Sequence, residues 1–137
     1  IMKNGRGSGK ITGGNLSLVV ATLGTDHEIN TDGKILFLEE TNEASYRIDR
    51  MLQQLRLAGK FDKLQGIILG DFKNPKQADP TDMTIDEVFY DNFGKLNIPI
   101  IKNFKSGHVR PFITVPIGAK AKIDTYNRQI IIEKSTK

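Results

Sequence analysis

The sequence predicts an α/β domain with a mixed, partly parallel sheet that ends in a β-hairpin. Three patterns carry this expectation. Two nearly continuous apolar runs, at 34–39 and 65–69, have the length and composition of strands buried on both faces. Between and after them, apolar residues recur at helical spacing. Near the end of the chain, apolar and polar residues alternate over 121–125 and 129–133 around Tyr126-Asn127-Arg128, the pattern of a hairpin with one wet face.

Taken in order, Gly13-Gly14-Asn15 precedes Leu16, Val19, Val20 and Leu23, a helical stripe that Gly24 ends. Asn15 is suited to accept from the first free backbone N–H groups of that helix. Thr31-Asp32-Gly33 is a turn into the strand 34–39, whose last residue, Glu39, is charged. Thr41-Asn42-Glu43 offers a cap for a helix carrying Ile48, Met51, Leu52 and Leu55 and closed by Gly59. The strand 65–69 is closed by Gly70-Asp71, and residues 73–82, with two prolines and no periodicity, read as a loop. Thr84-Ile85-Asp86-Glu87 fits a capping box for a third helix with Ile85, Val88, Phe89, Phe93 and Leu96 on its apolar face. Asn97 and Pro99 stop it. A strand at 98–101, a polar loop at 104–111 and a strand at 112–117, placed at an edge or end by Pro116, lead into the hairpin.

With 137 residues, 38% of them hydrophobic, the chain is sized for a single domain over 1–137. Residues 1–9 are basic and Gly-rich without an apolar core, so they read as a linker and not as a signal peptide. The absence of cysteine excludes disulfides, thiolate metal sites and cysteine nucleophiles, and makes a reducing, cytoplasmic setting the expectation. No apolar stretch approaches the roughly 18 residues of a membrane span, so no membrane association is expected. The formal charge is +4, but the basic residues are scattered among 16 acidic ones with no aromatic-interleaved stripe, which argues against a nucleic-acid partner.

The candidates for chemistry are few. Of two histidines, His27 sits in a polar turn and reads as a solvated surface residue. His108 follows the strand 98–101 in Ser106-Gly107-His108-Val109-Arg110-Pro111, and loops beyond the carboxyl ends of strands in open α/β sheets are where ligands bind. A histidine acting as a general base needs a carboxylate on its far nitrogen. Glu39 stands at a strand end, as do Glu40, Glu43 and Asp71 or the turns that hold them, and spacing alone does not choose between them. Serines occur at positions 8, 17, 45, 106 and 135, none in a Gly-x-Ser-x-Gly elbow, and Ser106 is too near His108 for a comfortable triad. No pair of histidines stands at ligand spacing, so no metal and no cofactor are implied.

The phrases Gly13-Gly14-Asn15-Leu16-Ser17-Leu18, Leu23-Gly24-Thr25, Ile35-Leu36-Phe37-Leu38-Glu39-Glu40-Thr41-Asn42-Glu43, Tyr46-Arg47-Ile48-Asp49-Arg50-Met51-Leu52, Gly66-Ile67-Ile68-Leu69-Gly70-Asp71-Phe72 and Gly107-His108-Val109-Arg110-Pro111 resemble, in this order, the C-terminal domain of LD-carboxypeptidases and the related microcin C immunity peptidases. The resemblance covers nearly the whole chain. It implies a swivelling β/β/α domain and a serine peptidase with a Ser-Glu-His triad, in which Glu39 and His108 are the acid and base and the serine belongs to an N-terminal domain outside this chain. Glu40 stands where the family often has aspartate, and alternation along the strand lets only one of Glu39 and Glu40 face the cleft. The implied reaction removes the terminal D-alanine from a cytoplasmic muropeptide tetrapeptide by cleaving an L-to-D amide bond. The implied partners are a muropeptide or peptide substrate, the N-terminal domain and a second copy in a homodimer. A microcin-type immunity peptidase and a non-catalytic binding or swivelling module are the competing readings. Glu43, in the loop leaving the strand beside Glu39, is a candidate substrate-binding residue for the free ammonium of lysine or diaminopimelate next to the scissile bond, set against the role of a first-turn acid complementing a helix dipole.

Overall fold

The computed structural model describes residues 1–73, 81–104 and 115–133. In chain order the elements are β1 (Arg6–Asn15), α1 (Leu16–Ala21), β2 (Ile35–Thr41), α2 (Ser45–Leu57), β3 (Gly66–Lys73), α3 (Ile85–Phe93), β4 (Ile100–Ile101), β5 (Lys120–Asp124) and β6 (Gln129–Ile132). They form one six-stranded sheet in the order β4-β3-β2-β1-β5-β6. The pairs β4–β3, β3–β2 and β2–β1 are parallel, whereas β1–β5 and β5–β6 are antiparallel. This is the mixed, partly parallel α/β domain with a terminal hairpin that the sequence predicts.

The hinge of this arrangement is β1, which works twice along its length. Its first half pairs with β5 from Arg6↔Asp124 to Lys10↔Lys120, and its second half pairs with β2 from Ile11↔Ile35 to Asn15↔Glu39. The expectation of a linker over residues 1–9 is therefore corrected: the strand begins at Arg6, and before it Lys3 bridges to Ile100. The glycines that suggest a linker have another cause. A Cβ on Gly7 would fall 1.9 Å from the Gln65 carbonyl oxygen, so only glycine lets the strand pass that close to the turn before β3.

The sheet separates two cores. On one face α2 and α3 bury Ile48, Leu52, Leu55, Val88, Phe89 and Phe93 against Leu36, Leu38, Ile67 and Leu69. On the other face Ile11, Ile35, Phe37, Ile68, Ala121 and Ile123 pack together. Along β2 the side chains alternate between these cores, so the helix-bearing face continues to Glu40 and the opposite face to Glu39.

Local signals explain most element ends. Thr84 and Glu87 form the expected capping box of α3, with each side chain bonded to the other's backbone N–H. The cap expected from Thr41-Asn42-Glu43 does not form: α2 starts at Ser45 with Ala44 at its N-cap and no side-chain bond there, and Asn42 turns the chain with φ of 57° two residues before that N-cap. The strand expected at 112–117 lies partly outside the described residues. Its last three residues are not strand, and Gly118 turns the chain with φ of 90° just beyond Pro116.

Gly13 makes the tightest contact between β1 and β2. A Cβ there would lie 1.9 Å from the Phe37 carbonyl oxygen, with φ at 117°, while the neighbouring Gly14, with φ of 141°, would meet nothing within 4 Å. Both replacements by alanine strain the backbone, but only Gly13→Ala adds a backbone clash. Gly13→Ala is expected to destabilise the domain by about 2 kcal/mol more than Gly14→Ala, the scale of overpacking a filled site. Urea unfolding of the two variants measures the difference, and equal losses would contradict the close approach of β1 to β2.

Candidate functional site

The parallel strands β1 and β2 end side by side, with Asn15 and Glu39 as their last paired residues. Beyond Asn15 the chain turns directly into α1, and the Asn15 carbonyl oxygen Oδ1 accepts from the backbone N–H of Leu18 at 3.1 Å, as an N-cap should. That bond fixes the amide's orientation. Its nitrogen Nδ2 then faces β2 and donates to Oε1 of Glu40 at 3.1 Å.

Glu40 is only 6% exposed, and among the described residues no cationic side chain is bonded to its carboxylate. Four donors surround it. Asn15 Nδ2 and the Thr41 backbone N–H at 3.2 Å serve Oε1, while the Ser17 backbone N–H at 2.9 Å and the Ser17 hydroxyl at 2.5 Å serve Oε2. Burial pushes the Glu40 pKa upward, but the bonds from the Ser17 hydroxyl, the backbone of Ser17 and Thr41 and the Asn15 amide outweigh it, and the net direction is down from 4.5. Hydrogen bonds to the charged form hold the ion in place of a counter-charge.

Glu39, half-buried, belongs to the opposite face by alternation. The strand β3 is irregular at this level: Leu38 pairs with Leu69 and Glu40 with Phe72, so β3 carries one extra residue opposite Glu39. Glu43 lies after the strand end, just before the N-cap of α2. Its Oε1 accepts from the Ala44 backbone N–H at 3.2 Å and from Nη1 of Arg47 at 3.5 Å. It is thus outside the first turn of α2, and the first-turn reading of Glu43 gives way to an ion pair one helical turn long.

Two hollows open on the surface of the described residues. One, of about 500 Å³, runs along the β1–α1 junction and includes Gly13, Gly14, Asn15, Leu18 and the exposed His27 in its wall. The other, of about 700 Å³, lies over the apolar face between Ile11, Ile68, Ile101, Phe104 and Val115, and none of Glu39, Glu40 or Glu43 is among its described lining residues.

Comparison with known proteins decides the family. The family described as LD-carboxypeptidase C-terminal domain matches residues 8–123. The chain belongs to this LD-carboxypeptidase domain family. It is 43% identical over 131 residues to a probable murein peptide carboxypeptidase of Bacillus subtilis, which covers 94% of this chain and 41% of that protein. It is 32% identical to the microcin C7 self-immunity protein of Escherichia coli over 94% of this chain and 39% of that one. Among solved structures, the same immunity protein matches with a TM-score of 0.84 at 28% identity, covering 97% of this chain and 40% of that one. A muramoyltetrapeptide carboxypeptidase from Oxalobacter formigenes matches with a TM-score of 0.80 at 29% identity, covering 89% and 43%. The chain therefore spans about two-fifths of the length of these LD-carboxypeptidase relatives.

Within the LD-carboxypeptidase domain, the structure brings Glu39, Glu40, Asn15 and Ser17 to one end of β1 and β2, with Glu43 one loop away. His108 lies outside the described residues. Sequence reasoning found Asn15 as a cap but missed Ser17 and the engagement of Glu40. The signal was available as a carboxylate at a strand end whose neighbouring strand runs straight into a helix, where free N–H groups collect.

The Glu40 carboxylate has a testable consequence for stability. Its folded pKa lies below the ordinary 4.5, so the unfolded chain takes up the proton more readily. The stabilisation is complete above about pH 4.5 and is lost as pH falls through the lower folded value. Glu40→Gln presents an amide N–H₂ to donors, and at pH 7 it is expected to cost about 1–3 kcal/mol, the range for leaving buried donors unpaired. Urea unfolding at pH 7 and pH 3 is expected to show the gap between wild type and Glu40→Gln narrowing in acid.

Proposed function

We propose that this chain supplies the acid and base of a Ser-Glu-His triad to a cytoplasmic murein LD-carboxypeptidase. In this reading a serine from another part of the full-length protein attacks the carbonyl of the L-to-D amide bond, and its proton passes to Nε2 of His108. His108 then gives that proton to the departing amine of D-alanine, and water hydrolyses the acyl-enzyme with His108 again as base. Glu39 accepts from Nδ1–H of His108, holding its tautomer and stabilising the imidazolium.

The observation that carries the choice of Glu39 is the engagement of Glu40: with its carboxylate bonded to four donors on the helix-bearing face, the adjacent Glu39 is the strand-end acid on the other face. The similarity to a murein peptide carboxypeptidase at 43% identity supports the substrate class. The likeness to the microcin C7 self-immunity protein, one structure of which holds aspartyl sulfamoyl adenosine, favours a second reading, an immunity peptidase with the same triad acting on an aminoacyl sulfamoyl nucleoside. The partners proposed are an N-terminal serine-bearing domain and a second copy of the full-length protein.

Glu43 is the proposed contact for the substrate's free ammonium group. Its present partner, Arg47, is largely exposed, and an exposed helical pair of this spacing contributes only about 0.3–0.5 kcal/mol, so a substrate amine can replace it cheaply.

In the full-length protein, Glu39→Gln is expected to lower kcat for D-alanine release from a muropeptide tetrapeptide by about 10³–10⁴-fold, as loss of the orienting carboxylate does in serine triads. This chain alone is expected to release none. Turnover by the isolated chain, or a wild-type kcat in Glu39→Gln, would overturn the triad assignment. Glu43→Gln is expected to raise KM for an amine-bearing tetrapeptide more than for its amine-acetylated form, with kcat nearly unchanged. An equal effect on both peptides would remove Glu43 from the substrate site. If the full-length enzyme cleaves aspartyl sulfamoyl adenosine and not the tetrapeptide, the immunity reading replaces the murein one.

A further inference from the structure

Glu39 stands where the ladder between β1 and β2 stops. On one side β3 carries its extra residue at this level, and on the other side the neighbour Asn15 is the last residue of β1 before the chain leaves for α1. On the β3 side pairing resumes at Glu40↔Phe72 and Thr41↔Lys73, so beyond Glu39 the strand is held to β3 by the ladder and to the β1–α1 junction by side-chain bonds alone.

We propose that Glu40 is a positioning residue for Glu39: its carboxylate ties the end of β2 to the β1–α1 junction and so sets the direction in which Glu39 projects. This rests on the reading of Glu39 as the triad acid. The tie acts on Glu39 from three directions. Glu40 is the next residue in the chain; its bond to Asn15 Nδ2 fixes the residue beside Glu39 in β1; and its bond to the Thr41 backbone N–H fixes the strand one step beyond. The two bonds from Ser17 anchor the carboxylate to the first turn of α1, which Leu16, fully buried, holds in the core.

The chemistry requires a carboxylate. All four partners are donors, and Asn15 cannot reverse its amide because Oδ1 already accepts from Leu18. Glutamine has one acceptor oxygen, so its N–H₂ must face either the Ser17 backbone N–H or the Asn15 and Thr41 donors. Glu40→Gln therefore opens one side of the tie while keeping the side chain's size.

The test uses the full-length protein and a double-mutant cycle. Glu40→Gln is expected to lower kcat for tetrapeptide hydrolysis by about 10–100-fold with KM changed by less than about twofold, the effect of an ångström-scale misplacement of a catalytic group. Ser17→Ala removes one of the two donors to Oε2 and is expected to act in the same direction more weakly; it carries the same test if Glu40→Gln does not fold. In a Glu39→Gln background, neither change is expected to lower kcat further, because the tie then positions nothing. The acid limb of the pH–rate profile is expected to move to lower pH in Glu40→Gln, because a misplaced Glu39 stabilises the imidazolium less. Equal losses in both backgrounds, or a lower melting temperature with unchanged kcat and pH limb, would overturn the positioning role while leaving Glu39 as the triad acid. A wild-type kcat in Glu39→Gln alone would remove both.

Discussion

The structure turns on one buried carboxylate. Glu40 sits in the layer between the sheet and its helices, where an unpaired charge would be expelled or neutralised. It stays because the chain delivers four donors to it from three segments: the end of β1, the first turn of α1 and the next residue of β2. Those donors would otherwise be orphans at the start of a helix and the end of a strand. One side chain thus satisfies a helix start, closes a strand end and joins two parallel strands at the point where their ladder stops.

That junction depends in turn on the shape of β1. A ten-residue strand that pairs parallel on one side and antiparallel on the other must pass close to two neighbours, and its glycines allow it. Gly13 brings the backbone against the Phe37 carbonyl just before the turn into α1, so Asn15 arrives beside Glu39 with its amide already aimed at Glu40. Packing, capping and the placing of the candidate site are consequences of the same close approach.

Much of this was legible from residue pattern. The apolar run ending in Glu39 is a strand, Thr84 and Glu87 cap a helix, and the alternation around Tyr126-Asn127-Arg128 is a hairpin, because in each case a local signal and the tertiary demand agree. The first strand was not legible. Its side chains include four glycines between Arg6 and Gly14 and carry little hydrophobic pattern, since its role is to let other backbones approach and not to fill a core. The start of α2 differs from the expectation, because Asn42 makes a left-handed turn and the helix opens only at Ser45, with Ala44 as its N-cap. At the site, alternation alone says that Glu39 and Glu40 face opposite ways, but which of them is engaged inside depends on Ser17, which is 23 residues away in sequence. No local pattern carries that contact.

The central claim is that the Glu40 tie leaves Glu39 as the carboxylate that meets His108. The most direct measurement is proton NMR of the full-length protein with selectively labelled histidine, following the His108 Nδ1–H resonance at low pH. The account predicts a strongly deshielded, slowly exchanging proton that is lost in Glu39→Gln and kept in Glu43→Gln. A deshielded His108 resonance that survives Glu39→Gln would contradict it.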